Sequence, residues 1–101
     1  MRVVRADTYA MRAKGLGGRR ALAPDEALLI PRCRSVHTIT MRFALDLIWV
    51  GSGGRVVRVD RGLGRFRLRV CRRAVAVLEC RAGESARFLA EPGWMAQLAE
   101  L

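Results

Sequence analysis

A chain of 101 residues, 51% hydrophobic and 28% charged, has the size and composition of one globular domain (1–101) with a modest core, not of a disordered protein. No apolar run approaches the roughly 20 residues that span a bilayer, and charges interrupt the N-terminus before a signal-peptide core develops, so a cytoplasmic protein is expected. Nineteen basic residues against nine acidic ones leave a net charge of +10, a surplus that attracts an anionic protein, lipid or nucleic acid.

"RVVR" (2–5) opens the chain as a short strand. Asp7 is placed to N-cap a helix through "TYAMRAK", which Gly15 would end. "GLGGRRALAPDE" is a loop and "ALLIP" (27–31) a short apolar strand. The long stretch "SVHTITMRFALDLIWV" follows, then the glycine turn "GSGG" (51–54) and "RVVRV" (55–59), which together spell a β-hairpin. "RGLG" (61–64) is a loop. "RFRLRV" (65–70) alternates, with Arg65, Arg67 and Arg69 on one face and Phe66, Leu68 and Val70 on the other, the period of a half-buried strand. "AVAVLEC" (74–80) is apolar enough to be a central strand. "AGESARFLAE" is a helical turn or two broken by Pro92-Gly93, and Trp94, Met95, Leu98 and Leu101 fall at the spacing of a terminal helix that closes the core.

Cys33, Cys71 and Cys80 form no closed disulfide set and no C-x-x-C pair, and are expected to be reduced thiols used as small hydrophobes. With His37 they lack the ligand spacing of a zinc site, so neither a metal nor a cofactor is expected.

In order and spacing, "RAKGLGGR" (12–19), "ALLIP", "VHTITMRFALDLIWV", "GGRVVRV" and "VLECRAG" (77–83) resemble the bacterial and archaeal domain-of-unknown-function family 192. Three departures stand out. Gly17 replaces a methionine, Ala44 replaces the proline before Leu-Asp, and Pro92-Gly93-Trp94 replaces a glycine-aspartate turn. That family has no established activity, so the resemblance implies a fold more than a function. The expected fold is α+β and mainly antiparallel β, a compact β-barrel-like single domain with short helices.

Candidate site residues follow from what interrupts the strands. From His37 the apolar phase runs through Ile39, Met41, Phe43, Leu45, Leu47 and Trp49, so His37 is expected to be satisfied or half-buried. The alternation is too long for one strand, which implies a bend near Arg42 to Ala44. Asp46 and Glu79 are carboxylates inside apolar strands, and each must meet an arginine such as Arg42 or Arg19, backbone N–H groups or water. Both occupy positions shared with the family. They have two readings: structural pins, or a catalytic or ligand pocket of Asp46 and Glu79 with His37 and Arg42 nearby.

No nucleophile elbow or phosphate loop accompanies them. Arg65, Arg67, Arg69, Arg72 and Arg73, with Arg58 and Arg61, form an anion-binding ribbon. Phe66 alone interleaves and is expected on the opposite face, which argues against a base-stacking platform. The expected function is a non-catalytic binding or interaction module with a basic surface. An enzyme or small-ligand pocket on Asp46 and Glu79, and a nucleic-acid-binding protein, are the alternatives.

Overall fold

The computed structural model describes residues 1–7, 15–17, 19 and 21–98; the helix expected over Thr8–Lys14 and the terminal Leu101 lie outside them. Seven strands, β1 (Arg2–Arg5), β2 (Glu26–Pro31), β3 (Ser35–His37), β4 (Leu45–Gly51), β5 (Arg55–Leu63), β6 (Leu68–Val70) and β7 (Ala76–Arg81), precede helix α1 (Ser85–Ala90) and a 3-10 helix (Pro92–Leu98). The larger sheet has the order β1-β2-β7-β4-β5, and β3 pairs with β6 in a separate two-stranded ribbon. Among the described residues only the β1–β2 pair is parallel. Among the described residues β1 and β5 remain open edges, so these pairings do not close the sheet into the barrel-like form expected.

The most apolar segments, β2, β7 and β4, take the three interior positions, where both faces are covered. All seven residues of β4 are buried, and so is β7 up to Cys80. On one face Leu28, Leu47, Trp49 and Val77 pack with Leu16, Val36, Met41 and Cys71. On the other, Leu29, Ile48, Leu78 and Cys80 pack under Phe88 of α1 and Trp94 of the 3-10 helix. Trp94 donates its indole N–H to the Phe88 carbonyl at 2.9 Å, which satisfies the buried indole nitrogen.

Two segments differ from the expectation. The strand 65–70 shrinks to Leu68–Val70, because Phe66 turns into the left-handed region (φ 64°) and breaks the alternation. Its apolar side faces outward, with Phe66 68% and Leu68 63% exposed. Conversely, β5 continues through 61–63, which had looked like loop, because Leu63 is buried opposite Leu45. The expected bend is a full break from Thr38 to Ala44, and Thr38 organises it. The Thr38 hydroxyl, 1% exposed, donates to the Gly64 carbonyl at 2.7 Å and accepts from the Arg67 N–H at 2.8 Å.

Gly51 ends β4 where a Cβ would lie 2.9 Å from Val57 Cγ1 and 3.2 Å from the Arg73 carbonyl. Gly51→Ala is therefore expected to lower the unfolding free energy by about 1–3 kcal/mol through overpacking, measured by denaturant titration.

Candidate functional site

The register decides what Asp46 and Glu79 can do together. Asp46 lies opposite Cys80, and Glu79 opposite Leu47 on one side and Leu28 on the other. Residues directly opposed in an antiparallel pair share a face, and neighbours along a strand do not. Asp46 thus projects to the Phe88–Trp94 face and Glu79 to the Leu16–Trp49 face. The sheet itself separates the two carboxylates rather than bringing them together.

Among the described residues neither carboxylate pairs with an arginine. Asp46, 1% exposed, accepts three backbone N–H bonds: Gly62 at 2.9 Å on Oδ1, and Gly83 and Ser85, both at 3.1 Å, on Oδ2. It ties the end of β5 and the turn before α1 to the centre of the sheet. Glu79, 3% exposed, accepts the Leu16 N–H at 3.2 Å. Gly15 (φ 55°) lies so close above it that a Cβ there would stand 2.9 Å from Glu79 Oε1. Burial pushes Glu79 up to about 7, against the smaller opposing pull of that hydrogen bond. The arginines named as possible partners are engaged elsewhere or exposed. Arg19 approaches Glu26 at 3.8 Å, and the exposed Arg42 side chain has no partner among the described residues.

His37 is exposed on β3, where it shares the outer face of the ribbon with Leu68. Its apolar phase misleads because that face is solvated. Cys71 and Cys80 are buried and Cys33 partly so. Burial, reinforced by the Asp46, Glu84 and Glu79 carboxylates, pushes the Cys80 thiol up to about 12, so it is no nucleophile. Among the described residues no three metal-ligating side chains converge.

The basic surface, in contrast, is assembled by the fold. Pairing of β3 with β6 joins two stretches, 27–45 and 61–78, that contain no Asp or Glu. Arg65, Arg67, Arg72 and Arg73 are exposed there and Arg69 half-exposed, with Arg32, Arg34, Arg42 and Arg61 around them. Exposed apolar side chains sit among these cations: Ile39, Phe66, Leu68 and Val70. The Arg65 guanidinium lies 4.9 Å from the centroid of the Phe66 ring, so the aromatic is not segregated from the arginines.

A polar strap holds the ribbon to the sheet. Asp60 Oδ2 accepts from the buried Trp49 Nε1 at 2.8 Å and from Arg58 Nη2 at 2.9 Å. Arg58 Nη1 donates in turn to the Val70 carbonyl at 2.8 Å. Sequence reasoning missed Thr38 and Asp60, whose roles depend on contacts with residues 11 or more positions away.

The carboxylates yield two tests. Between the ordinary value of 4.5 and about 7 the folded protein holds a proton on Glu79 that the unfolded chain has lost, so stability falls as pH rises through this window. At about 1.4 kcal/mol per pKa unit, the contribution lost is roughly 3 kcal/mol. In Glu79→Gln this pH 5-to-8 decline should vanish, as compared by denaturant unfolding at both pH values. Asp46→Ala orphans three backbone donors and is expected to destabilise by about 2–4 kcal/mol, measured by thermal or chemical unfolding.

With this geometry in hand, the chain can be set beside known proteins. Among curated proteins none matches it. A crystallised protein of unknown function from Novosphingobium aromaticivorans DSM 12444 is 27% identical with a TM-score of 0.71; the alignment covers 84% of this chain but 64% of that one, less than two thirds of its length. A Sinorhizobium meliloti 1021 protein, called a "putative transcription regulator", is 26% identical with a TM-score of 0.74, over 85% of this chain and 72% of that one. The family DUF192, described as "Uncharacterized ACR", matches residues 1–98. A match of that extent, over a shared fold, means that the chain belongs to the DUF192 family.

Proposed function

We propose that the protein is a non-catalytic binding module whose β3–β6 ribbon docks an anionic partner. One observation carries this reading: nine exposed or half-exposed arginines and no acidic residue occupy 32–45 and 61–75, brought together by the strand pairing. Such a field concentrates a negatively charged surface, and the low local density of counter-charge leaves the guanidinium groups available for bidentate contacts. The two buried carboxylates accept from backbone donors on opposite faces, which weighs against their acting as one acid–base pair.

A second reading, nucleic acid, is favoured by Phe66. The expectation of a segregated aromatic weighed against base stacking, but an exposed ring beside Arg65 provides both a stacking surface and a phosphate contact. The name given to the Sinorhizobium relative agrees with this reading.

The ribbon is tested by retention on heparin across a salt gradient, with Arg65→Gln/Arg67→Gln/Arg72→Gln/Arg73→Gln beside the unsubstituted protein. The variant is expected to elute at clearly lower salt; equal elution of the two removes the proposal. Fluorescence anisotropy with a labelled oligothymidylate separates the second reading. Phe66→Ala should weaken binding by about 1–3 kcal/mol if bases stack there, and leave heparin retention unchanged.

A further inference from the structure

An open cleft of about 630 Å3 lies at the end of the sheet where β2 leaves and β7 begins. Arg32 and Arg34, from the connection between β2 and β3, stand on one side, and the β4–β5 turn, Gly51 to Gly54, stands on the other. Ala74, Val75 and Leu98 supply an apolar lining. None of the polar groups used by the buried carboxylates or by the ribbon strap contributes to it.

We propose that this cleft binds a small organic oxyanion, its charged head held by Arg32 and Arg34 and its apolar body against Ala74, Val75 and Leu98. Among the described residues the charge balance is one-sided: Arg32, Arg34 and Ser52 line the cleft, and no acidic residue does. The Arg32 side chain makes no hydrogen bond or ion pair with any described residue, whereas its backbone is firmly placed. Arg32 adopts the left-handed conformation (φ 54°), uncommon for a residue with a Cβ, and its N–H donates to the Val75 carbonyl at 2.7 Å. A left-handed arginine at the rim of a cavity, its side chain unpaired among the described residues, is the arrangement expected where strain serves binding.

Arg34 is oriented too. Its Nε lies 3.4 Å from the Ala74 carbonyl on the cleft wall, and its own carbonyl accepts the Cys71 N–H at 2.8 Å. The glycines leave space that side chains would fill: a Cβ on Gly53 or Gly54 would meet nothing within 4 Å. The backbone N–H groups of Ser52, Gly53 and Gly54 have no backbone acceptor among the described residues, so the turn adds donors but no negative group. The volume falls in the range of roughly 300–1,000 Å3 usual for small-molecule sites. An inorganic ion alone would leave the apolar lining unused, which is why the ligand class includes an apolar body.

The cleft is tested by titrating the protein with 8-anilinonaphthalene-1-sulfonate, an aromatic oxyanion whose fluorescence rises when it is held in an apolar site. The unsubstituted protein is expected to bind it and to release it to inorganic phosphate at high concentration. Arg32→Gly, alone and with Arg34→Gln, is expected to weaken binding at least about tenfold, the scale of lost charge-assisted hydrogen bonds. Glycine suits φ 54°, so Arg32→Gly should melt no lower than the parent and the loss cannot be blamed on unfolding. The neutral N-phenyl-1-naphthylamine should be indifferent to both substitutions. Phe66→Ser/Leu68→Ser, on the ribbon, should leave sulfonate binding unchanged, and this keeps the outcome separate from that of the docking surface. Failure of the parent to bind the sulfonate, binding unaltered by the arginine changes, or loss that follows Phe66→Ser/Leu68→Ser would each overturn the proposal.

Discussion

A carboxylate removed from water must be met by donors, and two such groups on adjacent central strands determine much of this molecule's architecture. Asp46 and Glu79 take opposite faces of the β4–β7 pair, and among the described residues each draws in a loop by its backbone rather than a cation by its charge. On one face the end of β5 and the turn before α1 close on Asp46, which seats α1 over Ile48 and Leu78. On the other, Gly15 and Leu16 close over Glu79, with glycine at 15 because neither the left-handed backbone nor the 2.9 Å approach leaves room for a Cβ. Backbone N–H groups serve better than arginines here. They bring no charge to be desolvated and no long side chain to be immobilised.

Among the described residues no arginine is buried, and the positive charge lies at the surface. Acidic residues at the start of the large sheet and along α1 are in ion pairs: Glu26 with Arg2 and Arg19, Asp7 with Arg5, and Glu84 with Arg87. Exposed pairs of this kind contribute little stability, and the β3–β6 stretches keep their arginines with no acidic residue of their own. The strap of Trp49, Asp60 and Arg58 then fixes that side against the core without neutralising it, since one carboxylate serves one guanidinium and an indole. Structure and charge are thus partitioned. Carboxylates organise the centre, and arginines face outward at the ribbon and the cleft.

The sequence carried the strands whose burial is decided locally. "ALLIP" and "AVAVLEC" are continuous apolar runs, and such runs survive only where both faces are covered, so β2 and β7 were legible as interior strands. The glycine turn and its flanking strands were legible for the same reason: a tight reversal needs residues that tolerate positive φ, as Gly53 and Gly54 do. The resemblance of motif order also pointed to the family to which the chain belongs. The three-residue ribbon was not legible, because alternation in "RFRLRV" says which residues share a face and nothing about which face the core takes. Leu68 and Val70 lie outward because Thr38 captures the Arg67 backbone and Phe66 turns at φ 64°.

By itself, then, the sequence determined a small basic domain of mainly antiparallel strands, with two carboxylates that had to be satisfied and an arginine surplus that had to lie outside. Local composition and period suffice for those statements, since each follows from the cost of burying or exposing a given side chain. Only the tertiary structure decided that Asp46 and Glu79 diverge, that stretches 27–45 and 61–78 merge into one uncompensated basic surface, and that Arg32 and Arg34 meet the Gly51–Gly54 turn across a cleft. The physical reason is register. A shift of one residue moves a side chain to the other face of a sheet, and register is set by pairings between residues far apart in the chain.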